Sequence, residues 1–353
     1  MFHLKIIPYT LVFKRPAGTS RGVYTEHRVW YVVFRDTEAP SHYGVGECAP
    51  LPDLSCEYDS HYAETLAAFC RRTEERQAID AEALRDYPSI LFGLETAMQH
   101  YWQNRLQLWN TPFSRGEEGI PINGLVWMED YDGMLKQIQS LLGRGFRCIK
   151  LKIGAIDFER ELDLLRFIRS RYTAQEMTLR VDANGNFDDG DVTDKLHQLA
   201  VWGVHSIEQP IRAGQHDKMA ALCASSPLPV ALDEELIGIN HPAGKRKLLE
   251  TIRPHYIVLK PSLHGGITGC AEWIRLAEEL NIGWWITSAL ESNIGLNSIA
   301  QWCATFDNPL PQGLGTGSLY TNNIPMPLTV RADRLWFSPQ KGISDGLISF
   351  LDE

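Results

Sequence analysis

The sequence predicts an α/β protein: a (β/α)8 TIM-type barrel over residues 118–325, preceded by an α+β capping domain over 1–117, with 326–353 returning to that domain. Two observations carry the barrel. Eight short apolar runs alternate with helical patterns between Ile122 and Gly317, the texture of repeated βα units. Five of those runs end on a charged residue, and the five lie 25 to 30 residues apart, about one βα unit each. A third observation removes the doubly wound alternative, because no glycine-rich phosphate fingerprint follows the first run.

Taken in order, residues 4–13 and 28–35 alternate as half-buried strands do, and flank a Gly/Pro/Ser-containing loop over 14–22. A second loop spans 44–55. Helical periodicity follows over 58–76 and 89–105, and the polar stretch SRGEEGIP (114–121) marks the domain boundary. The barrel strands are then INGLVWM (122–128), CIKLKI (148–153), TLRVDA (178–183), HSIEQP (205–210), PVALDE (229–234), YIVLKP (256–261), WWITSA (284–289) and GLGTG (313–317). The tail LTVRADRLWFSPQ (328–340) reads as strand and loop again.

Composition narrows the partners. The 353 residues are 44% hydrophobic and 22% charged, with a formal net charge of −10, which argues against a nucleic-acid surface and a polybasic membrane anchor. A small anionic carboxylate remains open as a substrate, given local cations to receive it; so does assembly into a homo-oligomer. The seven cysteines are scattered without a CxxC pair, so neither a disulfide framework nor a zinc site is expected. The first sixteen residues lack the apolar segment of a signal peptide, and no run approaches the ~20 apolar residues of a membrane helix. A cytoplasmic location is the expectation.

The chemistry sits at the strand ends. Lys152 ends the second run, Asp182 the third, Glu208 the fourth, Asp233 the fifth and Lys260 the sixth. Alone, an Asp after an apolar strand is more often a helix cap or turn former than a ligand. Together, three carboxylates on adjacent strands repel one another unless a cation neutralises them. With only oxygen donors and no His or Cys beside them, a hard ion suits the group, Mg2+ first and Mn2+ as a substitute. Lys152 and Lys260, four strands apart, would face each other across the barrel mouth, where such enzymes do their chemistry. Removal of a proton α to a carboxylate needs this arrangement, with a lysine as base and a metal opposing the charge that develops. Lys150, one pleat deeper than Lys152, is placed to hydrogen-bond a metal-binding carboxylate.

The set KLKIG (150–154), VDANGN (181–186), IEQP (207–210), LDEE (232–235) and LKPSLHGG (259–266) resembles the enolase superfamily, in its muconate-lactonising-enzyme-like subgroup. The resemblance covers nearly the whole chain. It implies that Asp182, Glu208 and Asp233 bind Mg2+, that Lys152 and Lys260 form the acid/base pair, and that Lys150, Asn184 and Glu234 support them. The stretches TSALESNIGLN (287–297) and PQGLGTGSLYTNN (311–323) further resemble the subgroup's dehydratases that form 2-succinylbenzoate for menaquinone biosynthesis. That implies a syn dehydration of 2-succinyl-6-hydroxy-2,4-cyclohexadiene-1-carboxylate. Dipeptide epimerases of the subgroup usually carry an Asp-x-Asp element after the eighth strand, where this chain has Gly315, Thr316 and Gly317. N-succinylamino acid racemisation, with the same lysine pair, stays open. Substrate contacts are expected from Ser262, Ser288, Glu291 and Gly313, with Arg21 or Arg15 on the succinyl carboxylate; His205 and His264 are read as structural.

Overall fold

Alternating apolar residues at the N-terminus build a long antiparallel hairpin. β1 (Phe2–Thr19) pairs with β2 (Gly22–Asp36) from Phe2 opposite Asp36 out to Thr19 opposite Gly22, with a register shift between Val12 and Ala17. The computed structural model describes residues 1–340 except 20, 21, 40, 155 and 189. The expected loop over 14–22 is therefore mostly strand: the irregularity near Pro16 is absorbed as a shift in register, while pairing continues beyond it. β3 (Tyr43–Cys48) completes a three-stranded sheet in the order β1-β2-β3.

Strand alternation gives this sheet two apolar faces. Trp30, Val32 and Phe34 pack with α1 (Tyr62–Arg76) and α2 (Pro88–Gln103). Val29, Tyr31 and Val33 point the other way and join the core formed by the βα segments that follow. The N-terminal unit is thus fused to those segments through a buried apolar face. Helix α2 lies directly on β3, because a Cβ on Gly46 would run into the Gly93 carbonyl.

After the short β4 (Ile120–Pro121), seven strands alternate with helices. These are β5 (Gly124–Val126), α3 (Tyr131–Gly143), β6 (Cys148–Lys152), α4 (Phe158–Arg169), β7 (Thr178–Asp182) and α5 (Val192–Val201). The series continues through β8 (Ser206–Glu208), α6 (His216–Ser225), β9 (Val230–Leu232), α7 (Pro242–Ile252), β10 (Tyr256–Leu259), α8 (Gly266–Glu279), β11 (Gly283–Ile286) and α9 (Asn293–Cys303). All neighbours pair in parallel, in the order β11-β10-β9-β8-β7-β6-β5. Where the sequence predicts an eighth strand, residues 312–313 form only bridges. Gln312 pairs with Ile122 and Gly313 with Thr287. Asn123 N donates to the Gln312 carbonyl at 3.0 Å, and Gly313 N to the Ile286 carbonyl at 2.8 Å. Both edges of the sheet reach this one segment, so the sheet curls round on itself. The Gly-rich GLGTG run lacks the side chains that would hold a longer strand.

The described part of the tail packs beside residues 113–121. β12 (Leu328–Arg331) and β13 (Arg334–Phe337) form a hairpin that pairs with β4, Leu335 opposite Ile120, and joins no strand of the N-terminal sheet. β4 offers an open edge, and Phe337 packs against Phe113 beside it. The N-terminal unit is met earlier instead: Lys14 N donates to the Leu319 carbonyl at 2.8 Å and Thr321 N to that of Val12 at 2.9 Å. Residues 341–353, the rest of the expected return, lie outside the described residues. No helix among those described is long and apolar enough to cross a membrane.

Candidate active site

Register in the parallel sheet brings the strand ends into one row. Lys152 is opposite Asp182, and Asp182 opposite Glu208. Asp233 follows β9 and Lys260 follows β10 directly. All three carboxylates are almost wholly buried. Lys152, Asp182 and Lys260 line a cavity of about 420 Å3, together with Asn184 and Glu234. Tyr24, Leu51 and Leu54 of the N-terminal unit also line it.

Ammonium groups divide the carboxylates among them. Lys150 donates to Glu208 Oε2 at 2.6 Å and lies 2.9 Å from Asp182 Oδ2. Lys260 donates to Asp233 Oδ2. Lys152 donates to Asn184 Oδ1 at 2.7 Å, lies 3.6 Å from Asp182 Oδ2, and holds its ammonium 5.9 Å from the centre of the Trp127 ring. Asn184 takes a left-handed conformation, φ 44°, which Asn tolerates better than most residues. From there its backbone N donates to Asp182 Oδ1 at 3.0 Å and its amide to Glu234 Oε1 at 3.0 Å.

Electrostatics follow from this sharing. Burial lowers the Lys150 pKa, but the charges of Asp182, Glu208 and Asp233 outweigh it and hold the ammonium well above its ordinary value. Lys260 behaves alike: against burial, Asp233, Glu208 and Glu234 raise it to about 12. Burial pushes Asp182 up, yet Lys150, Lys152 and Lys260 hold it below the usual carboxylate range. For Glu208, burial and the Asp182 charge prevail and raise it to about 8. Burial, with Asp233 and Asp182, raises Glu234 to about 7. The cluster is short of positive charge.

Its oxygen inventory says the same. Among the described residues Glu208 Oε1, Asp233 Oδ1 and Glu234 Oε2 find no hydrogen-bond partner in their buried positions, a costly state that a hard cation would relieve. Among the described residues no three His, Cys, Asp or Glu groups stand ready-grouped for a metal. The donors are nevertheless all oxygens, so their chemistry fits Mg2+.

The matching comparisons bear on the same region. The family model for enolase C-terminal domain-like proteins matches residues 133–346. The chain belongs to the enolase superfamily. Within it, the chain is 44% identical to the o-succinylbenzoate synthase of Desulfotalea psychrophila, across 91% of this chain and 95% of that one. It superimposes on the crystal structure of MenC from Desulfotalea psychrophila LSv54 with a TM-score of 0.82 and 39% identity, over 95% of this chain and 99% of the other. Muconate lactonizing enzyme from Pseudomonas fluorescens matches with a TM-score of 0.80 at 21% identity, covering 99% and 98% of the two chains, a likeness of fold alone.

As a member of the enolase superfamily the chain gathers most of the sequence-derived residues, but not all. Ser288 lines the cavity and shares a hydrogen bond of 2.6 Å with Thr316; Gly313 lines it too. Ser262 and Glu291 do not: both are fully buried, and Ser262 Oγ donates to Glu291 Oε1 at 2.5 Å. A buried carboxylate needs such partners, so the pair tie the segments after β10 and β11 together and leave the cavity to their neighbours. Arg21 lies outside the described residues. His264 Nδ1 accepts from the Lys260 backbone N at 2.9 Å, and burial pushes the ring down to about 3, as befits a structural histidine.

Sequence reading misses two groups. Gln209, at φ 41°, accepts from the backbone N of Asp233 and Glu235 through Oε1 and donates to Glu235 Oε2 at 3.0 Å, locking the end of β8 to that of β9. The EQP motif is the available signal. The second group reaches in from the N-terminal unit. Glu47, fully buried on β3, accepts from Ser292 N, Ser292 Oγ and Gly295 N at 2.7, 2.5 and 2.8 Å, and so caps α9. Glu95 on α2 does the same for α8 through Ile267 N, Thr268 N and the Thr268 hydroxyl.

Proposed function

We propose that this protein is an o-succinylbenzoate synthase, converting 2-succinyl-6-hydroxy-2,4-cyclohexadiene-1-carboxylate to 2-succinylbenzoate and water. In this reading the curled sheet is a (β/α)8-type barrel and the N-terminal unit its capping domain. We place the enzyme in the cytoplasm, where its free cysteines, all but Cys56 buried, stay reduced. The supporting observation is the placement of Lys152 and Lys260 on β6 and just after β10, at one cavity, with three carboxylate-bearing strand ends between them.

Asp182, Glu208 and Asp233 would hold Mg2+, or Mn2+ in its place. When bound, the ion supplies Lewis-acid neutralisation of the substrate carboxylate as charge builds on it. Lys152 takes the α-proton onto Nζ, leaving the electron pair in the conjugated carboxylate. The same ammonium then returns that proton to the departing hydroxyl on the same face, so that the C–O bond breaks, water leaves and the ring becomes aromatic. Lys260, kept cationic by Asp233, opposes the accumulating negative charge from the other wall and can lie against the ring face as it aromatises. Lys150 holds Asp182 and Glu208 in place.

The test is turnover of the cyclohexadiene substrate by the purified protein with Mg2+, beside N-succinyl amino acids in D2O. Formation of 2-succinylbenzoate, abolished in a folded Lys152→Ala variant, is expected. Deuterium exchange into N-succinyl amino acids without dehydration would transfer the assignment to a racemase, and near-normal turnover by Lys152→Ala would overturn the base.

A further inference from the structure

Leu290 stands out on the wall of the cavity, because it holds φ 66°. Left-handed backbone is costly for a residue with a bulky side chain, and such strain persists only where the surroundings over-determine it. The surroundings do so here. Tyr320 Oη donates to the Leu290 carbonyl at 2.5 Å. The fully buried His27 ring of β2 bridges two carbonyls, Nδ1 at 3.0 Å from that of Leu290 and Nε2 at 3.1 Å from that of Pro50. Burial lowers the His27 pKa while the Pro50 and Leu290 carbonyls that its ring faces raise it, and Tyr320 Oη, 3.5 Å from His27 Nδ1, donates to the same Leu290 carbonyl.

The flanking residues are pinned as firmly. Glu291 turns back to accept from Ala289 N at 2.6 Å and from Ser262, two residues beyond Lys260. Ser292 is held by Glu47. His27 and Tyr320 do not line the cavity, whereas Leu290 does, as do Leu51 and Leu54. Through Pro50, His27 also fixes the start of the segment that carries those two leucines.

We propose that Leu290 is a specificity-determining residue, pressed onto the apolar face of the substrate ring, and that Tyr320 and His27 are positioning residues holding it in its left-handed conformation. The inference rests on the dehydratase reading for the identity of the ring, but not for the strain. Two arms separate the two. In thermal unfolding, Leu290→Gly should melt about 2 °C or more above Leu290→Ala, because both lose the side chain and only glycine is free of the backbone cost. In steady-state kinetics, Leu290→Ala and Tyr320→Phe should raise KM for the cyclohexadiene substrate about tenfold while kcat stays within about threefold. A purely structural tyrosine would lower the melting temperature and leave KM alone, and that result overturns its positioning role. Unchanged KM in Leu290→Ala overturns the specificity role, and equal melting of the Gly and Ala variants overturns the strain. Wild-type protein inactive on this substrate would count against the dehydratase reading alone, with the melting arm still deciding on Leu290.

Discussion

Lys150 donates to Glu208 Oε2 at 2.6 Å while lying 2.9 Å from Asp182 Oδ2, so one buried ammonium ties together the ends of β7 and β8. Removing it leaves two buried carboxylates facing each other without that counter-charge. Breaking a buried pair in this way costs about 3–5 kcal/mol. Lys150→Met should therefore melt well below wild type without added metal, and Mg2+ should raise its melting temperature more than it raises that of wild type, because the ion takes over the missing neutralisation. Equal Mg2+ shifts in the two proteins would show that Lys150 and the metal do not share the same carboxylates.

Lys260 carries its charge for a different end. Asp233, Glu208 and Glu234 keep its pKa near 12, which makes it a poor base but a dependable cation. Lys260→Ala should lower kcat more than tenfold, roughly 1.4 kcal/mol or more of barrier, with a smaller change in KM. A loss of less than tenfold would mean that charge stabilisation is not its main task. Lys260→Arg should recover part of the lost rate, since the charge rather than proton transfer is what the position supplies.

Glu95 offers a test of how the N-terminal unit is fastened. Gly265, the N-cap of α8, brings no capping side chain, and Glu95 fills that role from α2 through Ile267 N at 2.6 Å and Thr268 N at 3.1 Å. Gly266, at φ 68°, makes room, because a Cβ there would meet Glu95 Oε2. Glu95→Ala should cost about 1–2 kcal/mol of stability, as loss of a cap does. Gly266→Ala should cost about as much through strain and crowding. Their combination should destabilise less than the sum, because the carboxylate's share of the crowding goes with it while the contact with Leu91 Cγ and the backbone strain stay. Chemical denaturation of the three variants measures this, and strict additivity would show that the two residues do not meet.

These fastenings mark the limit of what the sequence can disclose. The five charged strand ends are legible because each closes an apolar run at the spacing of a βα unit, and the parallel register then places them side by side. Lys150 bonding a carboxylate is likewise legible, from strand alternation alone. By contrast, Glu47 meets Ser292 across 245 residues and Glu95 meets Ile267 across 172, separations over which no local pattern carries information. The N-terminal hairpin reads too short because Pro and Gly between 14 and 22 signal a loop, while the register shift between Val12 and Ala17 lets pairing resume. Ser262 and Glu291 are drawn toward the substrate by their position after strands β10 and β11. Which of two neighbouring polar residues faces the cavity is decided by packing the sequence does not express.

Two buried groups on α2 titrate in opposite senses, and pH should expose them. Burial lowers His100 to about 4 from 6.5; its Nδ1 accepts from Val45 N and its Nε2 has no partner among the described residues. The unfolded chain thus binds that proton first, and the stability His100 contributes is complete above pH 6.5 and is lost as pH falls toward 4. Glu95 is raised by burial to about 7 from 4.5, so the folded state binds the proton first, and its contribution is largest below pH 4.5 and is lost as pH rises through 7. Between pH 7 and 5 each change amounts to about 2 kcal/mol, and in wild type the two oppose each other. Single variants unmask them. On going from pH 7 to 5, His100→Asn should gain about 2 kcal/mol of stability relative to wild type, and Glu95→Gln should lose about as much. Denaturant unfolding at the two pH values reads the difference directly, since groups common to the proteins cancel. If either variant keeps a constant offset from wild type across that range, the residue it replaces does not titrate there.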